Sequence, residues 1–205
     1  MTVAVTLGAL TPADARPLAR LHRAAFPGFF LSSLGEPFLV QFYRGFLMDD
    51  SAVCVVARAD DGAVLGAVVG TTEPAGFFGR LVLNRLPGFV LASVRAVLTN
   101  PKAAPRLLRA ARYRGGDRVG AGGALLSSIC VRPSARGSGL GRQLMEAWTR
   151  EVVGRGVDTA FLTTDADHNE AVNRFYQERG WTLADSCRTR EGRLMNRYTT
   201  RLDPR

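Results

Sequence analysis

Arg136 to Gly141 read RGSGLG, between an apolar strand-like run at 125–131 and a helix-like run from Leu140 to about residue 153. A glycine-rich turn at a helix N-terminus gathers unpaired backbone N–H groups and the positive end of the helix dipole at one spot. That arrangement suits a phosphate or pyrophosphate, and the spacing narrows which one. A Walker loop ends in Gly-Lys-Ser/Thr, whereas Gly141 is followed by Arg142 and Gln143. A dinucleotide fingerprint needs GxGxxG. Counted from Gly137 its last position is Arg142, and counted from Gly139 it is Leu144. Both readings fail, and R-x-x-G-x-G at Arg136, Gly139 and Gly141 remains.

A second apolar strand-like run follows at 159–164, and then HNEAVNRFYQERGW at 168–181. From spacing alone, Tyr176 in that stretch reads as an amphipathic core tyrosine. Asn169 and Asn173 sit at a helix start and one turn further on, and Asp167 with Glu170 has the spacing of a capping box. His168 reads as a loop residue. Cys130 lies inside an apolar run with no histidine near it in sequence, which favours a small inert core residue over a nucleophile.

Taken together, R-x-x-G-x-G, the preceding Val131-Arg132-Pro133, and Asn169, Tyr176, Gly180 and Trp181 in the pattern N-x6-Y-x3-G-W resemble the GCN5-related N-acetyltransferase superfamily. The resemblance covers about residues 125–202, and earlier residues follow it only in the order of elements. It implies an α/β (α+β) fold: a mixed, mostly antiparallel central sheet splayed between its fourth and fifth strands and flanked by helices. It also implies acetyl transfer from acetyl-CoA to a primary amine, by direct attack in a ternary complex. On this resemblance the pantetheine arm pairs with Ser128, Ile129, Cys130 and Val131. An N–H near Ile129 or Cys130 polarises the thioester carbonyl. The pyrophosphate rests on the amides of Arg136, Gly137, Ser138, Gly139, Leu140, Gly141 and Arg142. Asn169 and Asn173 bond the pantetheine amides, Asn173 being the better placed, and Tyr176 is the general acid.

The base is open. An amine of pKa about 10.4 is neutral in roughly one molecule in 10³ at pH 7, so something should take its proton. Some family members carry a glutamate on the fourth strand, but this one reads ALLSSICV. Water through Ser127 or Ser128, or a carboxylate from Glu36, Glu73 or Asp165, are the substitutes.

The elements that must position these residues begin with a strand at 3–7 and a helix from Thr11-Pro12 to about Ala25. Phe38, Leu39, Phe42 and Phe46 mark a second helix. Strands at 51–57 and 63–69 flank Asp60-Asp61-Gly62, a hairpin signal. A basic insertion follows at about 77–118, with nine Lys and Arg against the single acid Asp117, so that it holds +8 of the chain's +9. Its apolar stretch is broken by Arg85, Pro87, Gly88 and Arg95, which argues against a membrane span. Two helices are expected instead, at about 89–99 and 104–113. This insertion reads as a solvated cap, as an element drawing in an anionic acceptor, or as a membrane-surface or nucleic-acid patch; the last lacks any RNA-binding or zinc-finger signature.

At 205 residues the chain suits one domain, 1–205. Three cysteines without metal spacing fit reduced thiols. With no basic-then-apolar N-terminal pattern, a cytoplasmic protein is expected. No metal is implied. The acceptor is expected to be a small-molecule or peptide amine, an anionic one included, and a twofold homodimer is the default assembly. A noncatalytic acyl-CoA sensor is the alternative that the missing strand carboxylate suggests.

Overall fold

The computed structural model describes residues 5–27, 29–99, 101, 122–189 and 192–202. β1 (Val5–Ala9) leads through a 3-10 turn (Pro12–Asp14) into α1 (Ala15–Ala25), then α2 (Phe30–Ser33) and α3 (Glu36–Phe46). The Asp14 carboxylate accepts bonds from the Thr11 N–H and hydroxyl, so the expected helix entrance forms at Thr11, with the first turn wound as 3-10. β2 (Ala52–Ala59) and β3 (Val64–Thr71) make the expected hairpin, in which Gly62 takes φ +79°. α4 (Phe77–Asn84) and α5 (Leu86–Thr99) follow.

α5 starts three residues before the expected helix at 89–99, because Pro87 falls in its first turn, where the missing N–H costs nothing. α4 was not anticipated; its residues read as part of one broken apolar run. The helix expected at 104–113 lies outside the described residues. No single helix among the described residues is long and apolar enough to cross a membrane, and α4 with α5 form a pair bent by 85°.

The second half runs β4 (Ala124–Val131), α6 (Leu140–Gly154), β5 (Thr159–Asp165), α7 (Glu170–Gln177), β6 (Thr182–Arg188) and β7 (Leu194–Arg201). The seven strands form one sheet in the order β1-β2-β3-β4-β5-β7-β6, antiparallel throughout except for the parallel pair β4 and β5. Each face of the sheet carries its own apolar cluster. α6 covers one face, with Trp148, Leu144 and Val152 at 0% exposure against Val53, Val55 and Val68. α1, α3, α4 and α5 cover the other, where Leu18, Tyr43, Phe46, Phe77 and Phe89 meet Val56, Val69 and Cys130.

β4 changes face partway along. Val69 pairs with Ser128 and Gly70 with Leu126, leaving Ser127 as an extra residue in a bulge. Ala124 and Leu126 therefore belong to the α6 cluster before the bulge, while Ile129 and Val131 belong to it afterwards and Cys130 turns to the opposite side. A one-residue insertion inverts the period-2 alternation, and the bulge does so just where β4 leaves β5.

Candidate active site

β4 and β5 pair only at Ala124–Ala160 and Leu125–Phe161. β5 continues along β7 as far as Asp165–Met195, while β4 continues along β3 as far as Val131–Gly66. The two strands thus part after two residue pairs, and among the described residues the far half of β4 has no strand on its β5 side. The phase of its ladder follows from Arg132, whose N–H donates to Leu65 O at 2.7 Å. Alternate residues bond to opposite neighbours in an antiparallel ladder, so Cys130 bonds toward β3 while Ile129 and Val131 direct their N–H and C=O groups into the opening. Between the two expected oxyanion donors, the ladder favours Ile129.

The chain leaves β4 through a short 3-10 turn (Pro133–Ala135). The Ser138 hydroxyl donates to Ala135 O at 2.7 Å and ties the loop across itself. Gly137 and Gly139 take φ +80° and +81°, and a side chain added at either would meet no protein atom within 4 Å. Gly139 caps α6, whose first backbone bond runs from Gln143 N–H to Gly139 O, so the N–H groups of Leu140, Gly141 and Arg142 precede any intrahelical acceptor. Leu140 is buried and anchors the turn, while Arg136 and Arg142 are exposed beside it.

α7 lies across this helix start. A Cβ at Gly141 would sit 3.4 Å from the Phe175 ring, whose face carries the Arg179 guanidinium at 3.8 Å. Tyr176 is 5% exposed, packs edge-on to Trp181 and tilted to Tyr198, and shares one buried cluster with Leu140, Leu144, Ile129 and Val131. Its hydroxyl makes no hydrogen bond among the described residues, and burial pushes its pKa well above the ordinary phenol value. The three parts singled out in the sequence, strand, loop and late helix, are therefore brought together.

The asparagines divide. Asn169 is the N-cap of α7 and donates to Thr164 Oγ1 at 2.9 Å and to Asp165 O at 3.0 Å. The expected capping box from Asp167 to Glu170 does not form, because the N-cap is Asn169, two residues after Asp167 and past His168 at φ +55°. Asn173 donates to Asp165 O (3.0 Å) and Asn169 O (2.9 Å) and accepts from Asn196 Nδ2 (3.0 Å) and the Tyr198 hydroxyl (2.9 Å). All four bonding positions of this carboxamide are filled by the protein. A contact to pantetheine would have to break one of these bonds, so the geometry makes Asn173 a tie between β5, α7 and β7.

The candidate bases are occupied as well. Glu36 pairs with Arg16 (3.4 Å) and Arg20 (3.2 Å), and Glu73 lies 3.9 Å from Arg80. Asp165 receives two bonds of 2.6 Å from Arg193, which also lies 4.7 Å over the Phe29 ring. Cys130 is 4% exposed, and burial pushes its thiol up to about 12, which suits the inert reading. Arg193, Asn196 and Tyr198 were not anticipated: no motif marks them, and only the alternation of β7 distinguishes Tyr198, 1% exposed. Two cavities, of about 510 Å³ between β1, β2 and α6 and about 780 Å³ around Gly122, Thr159 and Gly180, lie away from the glycine loop.

Residues 16–181 match the model of the Acetyltransferase (GNAT) family, and the chain belongs to that family. A mycothiol acetyltransferase of Streptomyces bingchenggensis is 44% identical over 58 residues, 28% of this chain and 18% of that one. A ycf52-like N-acetyltransferase of Prochlorococcus marinus is 33% identical over 79 residues, 38% and 40% of the two chains. The matches thus span less than half the length of either relative. Among solved structures, the ribosomal-protein-S18-alanine N-acetyltransferase of Escherichia coli aligns over 98% of this chain and 96% of its own, with TM-score 0.58 and 16% identity. The Salmonella typhimurium protein yncA, solved with its cofactor acetyl-CoA, aligns over 98% and 96% with TM-score 0.62 and 15% identity. At such identities the likeness shows the fold. The cofactor of the family is acetyl-CoA, and the open donors at the start of α6 together with the unpaired edge of β4 fit its pyrophosphate and its amide-bearing arm.

Proposed function

We propose that residues 1–205 form one catalytic domain that transfers an acetyl group from acetyl-CoA to a primary amine, by direct attack in a ternary complex. The observation that carries this reading is the parting of β4 from β5 beside a helix start with free N–H donors. Bound acetyl-CoA supplies the acetyl thioester. The amides from Gly137 to Arg142, with the Arg136 and Arg142 side chains, hold the pyrophosphate, since converging N–H groups and charge are strongest toward an anion. The backbone of Ile129 and Val131 aligns the arm, and the Ile129 N–H faces the oxygen on which negative charge develops.

Tyr176 donates the proton that the thiolate needs. Burial makes this phenol a weaker acid, but the leaving thiolate develops in the same dry surroundings, where its own proton affinity rises too. Asn173 is a positioning residue that fixes α7, and through it Tyr176, against β5 and β7. Glu36, Glu73 and Asp165 each lie against an arginine, so the amine proton leaves to water through the bulge at Ser127 and Ser128. The acceptor is a small-molecule or peptide amine. Thiol release from acetyl-CoA across amines, amino sugars, amino acids and peptides tests this, beside calorimetry with CoA. Turnover on one acceptor supports it, tight CoA binding without turnover on any would leave a sensor, and no CoA binding would overturn the site.

A further inference from the structure

α4 and α5 are apolar on two sides. Inward, Phe77, Leu81, Phe89, Ala92 and Ala96 are buried, and the Phe89 ring meets Phe38 at 4.9 Å. Outward, Leu83, Leu86, Val90, Leu91, Val94 and Leu98 stand in water, with Leu91 at 73% and Leu98 at 79% exposure. Leu91, Val94 and Leu98 recur at helical spacing, so they form a stripe opposite the one that faces the core. Arg95 is the only charged residue in the fourteen of α5. A helix that is apolar all round belongs inside a core or against lipid, and one half of this helix has neither.

The charge of α5 and of the sequence that continues it selects the occupant. Between Glu73 and Asp117 the sequence has no acid, and it has eight basic residues, from Arg80 to Arg114. A second copy of the chain docked through this face by a twofold axis would bring together two faces on which Arg95 finds no acid of α4 or α5. An anionic bilayer meets both features, accepting the leucines in its acyl boundary and the basic residues at its headgroups. Neither helix spans alone, because eight and fourteen residues reach about 12 and 21 Å against about 30 Å of hydrocarbon, and the pair is bent by 85° and packed against α3 on its other side. We propose that the outer face of α5, with Leu83 of α4, rests on the surface of an anionic lipid bilayer. This stands independently of the acetyl-transfer reading.

The test is flotation of the full chain with phosphatidylcholine vesicles, with and without phosphatidylglycerol, at low and high salt. The expected result is binding only with phosphatidylglycerol, weakened by salt and reduced about tenfold or more in Leu91→Glu/Leu98→Glu. Both side chains are exposed, so the melting curve of the variant should match the parent's; Arg95→Glu is a second variant that should weaken binding without touching the stripe. No vesicle binding, or binding equal in parent and variants, would overturn the proposal. So would a dimer in sedimentation equilibrium that the double variant dissolves, which would assign the face to a second copy. Salt-sensitive DNA binding in the absence of vesicle binding would assign the charge to nucleic acid and overturn it too.

Discussion

Tyr176 is packed by its ring and makes no hydroxyl hydrogen bond among the described residues, which separates its two roles experimentally. Tyr176→Phe keeps the ring contacts and should lower kcat by about 10²–10³-fold, with the acetyl-CoA KM and the melting temperature little changed. Asn173 is the opposite case. Asn173→Ala removes four hydrogen bonds and strands their partners, and urea denaturation should show a loss of about 2–4 kcal/mol. His22 is 4% exposed, bonds the Tyr43 hydroxyl at 2.9 Å, and is lowered by burial to about 4. Its folded pKa lies below the unfolded 6.5, so the unfolded chain binds the extra proton and stability falls as pH drops from about 6.5 to 4. The full effect is up to about 3 kcal/mol, and His22→Gln should flatten the dependence of the melting temperature across that window. Asp14 adds to acid lability in the same direction: burial alone would raise its pKa, but bonds from Arg58 and Thr11 hold it below the usual carboxylate range.

At the scale of elements, the glycine loop carries a prediction with an internal control. Gly139 and Gly62 share φ near +80° and open space for a side chain, so Gly139→Ala and Gly62→Ala should each cost about 1–2 kcal/mol of stability. Only Gly139→Ala should also weaken CoA binding, by about tenfold or more in calorimetry, because only there does the backbone strain fall on the turn that leads into the donors of α6. This loop was legible in the sequence because its positive-φ backbone turns call for glycines at fixed spacing. β5 and α6 were legible from period alone. Ties made by side chains from distant segments leave no such mark: Asp165 with Arg193, or Asn173 with Asn196 and Tyr198, join residues 23 to 28 apart in sequence. α4 was missed because its eight residues, next to a longer apolar run, are too few to show a period of their own.

For the whole molecule, the feature with the widest consequence is how little joins its two halves along the sheet. Four strands stand on one side of the parting and three on the other, with two residue pairs between them. Such a sheet has a seam, and on the proposed reading a ligand lying along Ile129 and Val131 would be the thread that closes it. Affinity for the ligand and resistance to tearing then become one quantity. Hydrogen exchange should find the Ile129 and Val131 amides fast in the free protein and slowed by CoA, and the melting temperature should climb with the logarithm of CoA concentration. Amides equally slow with and without CoA would mean that the seam is already closed by the protein itself.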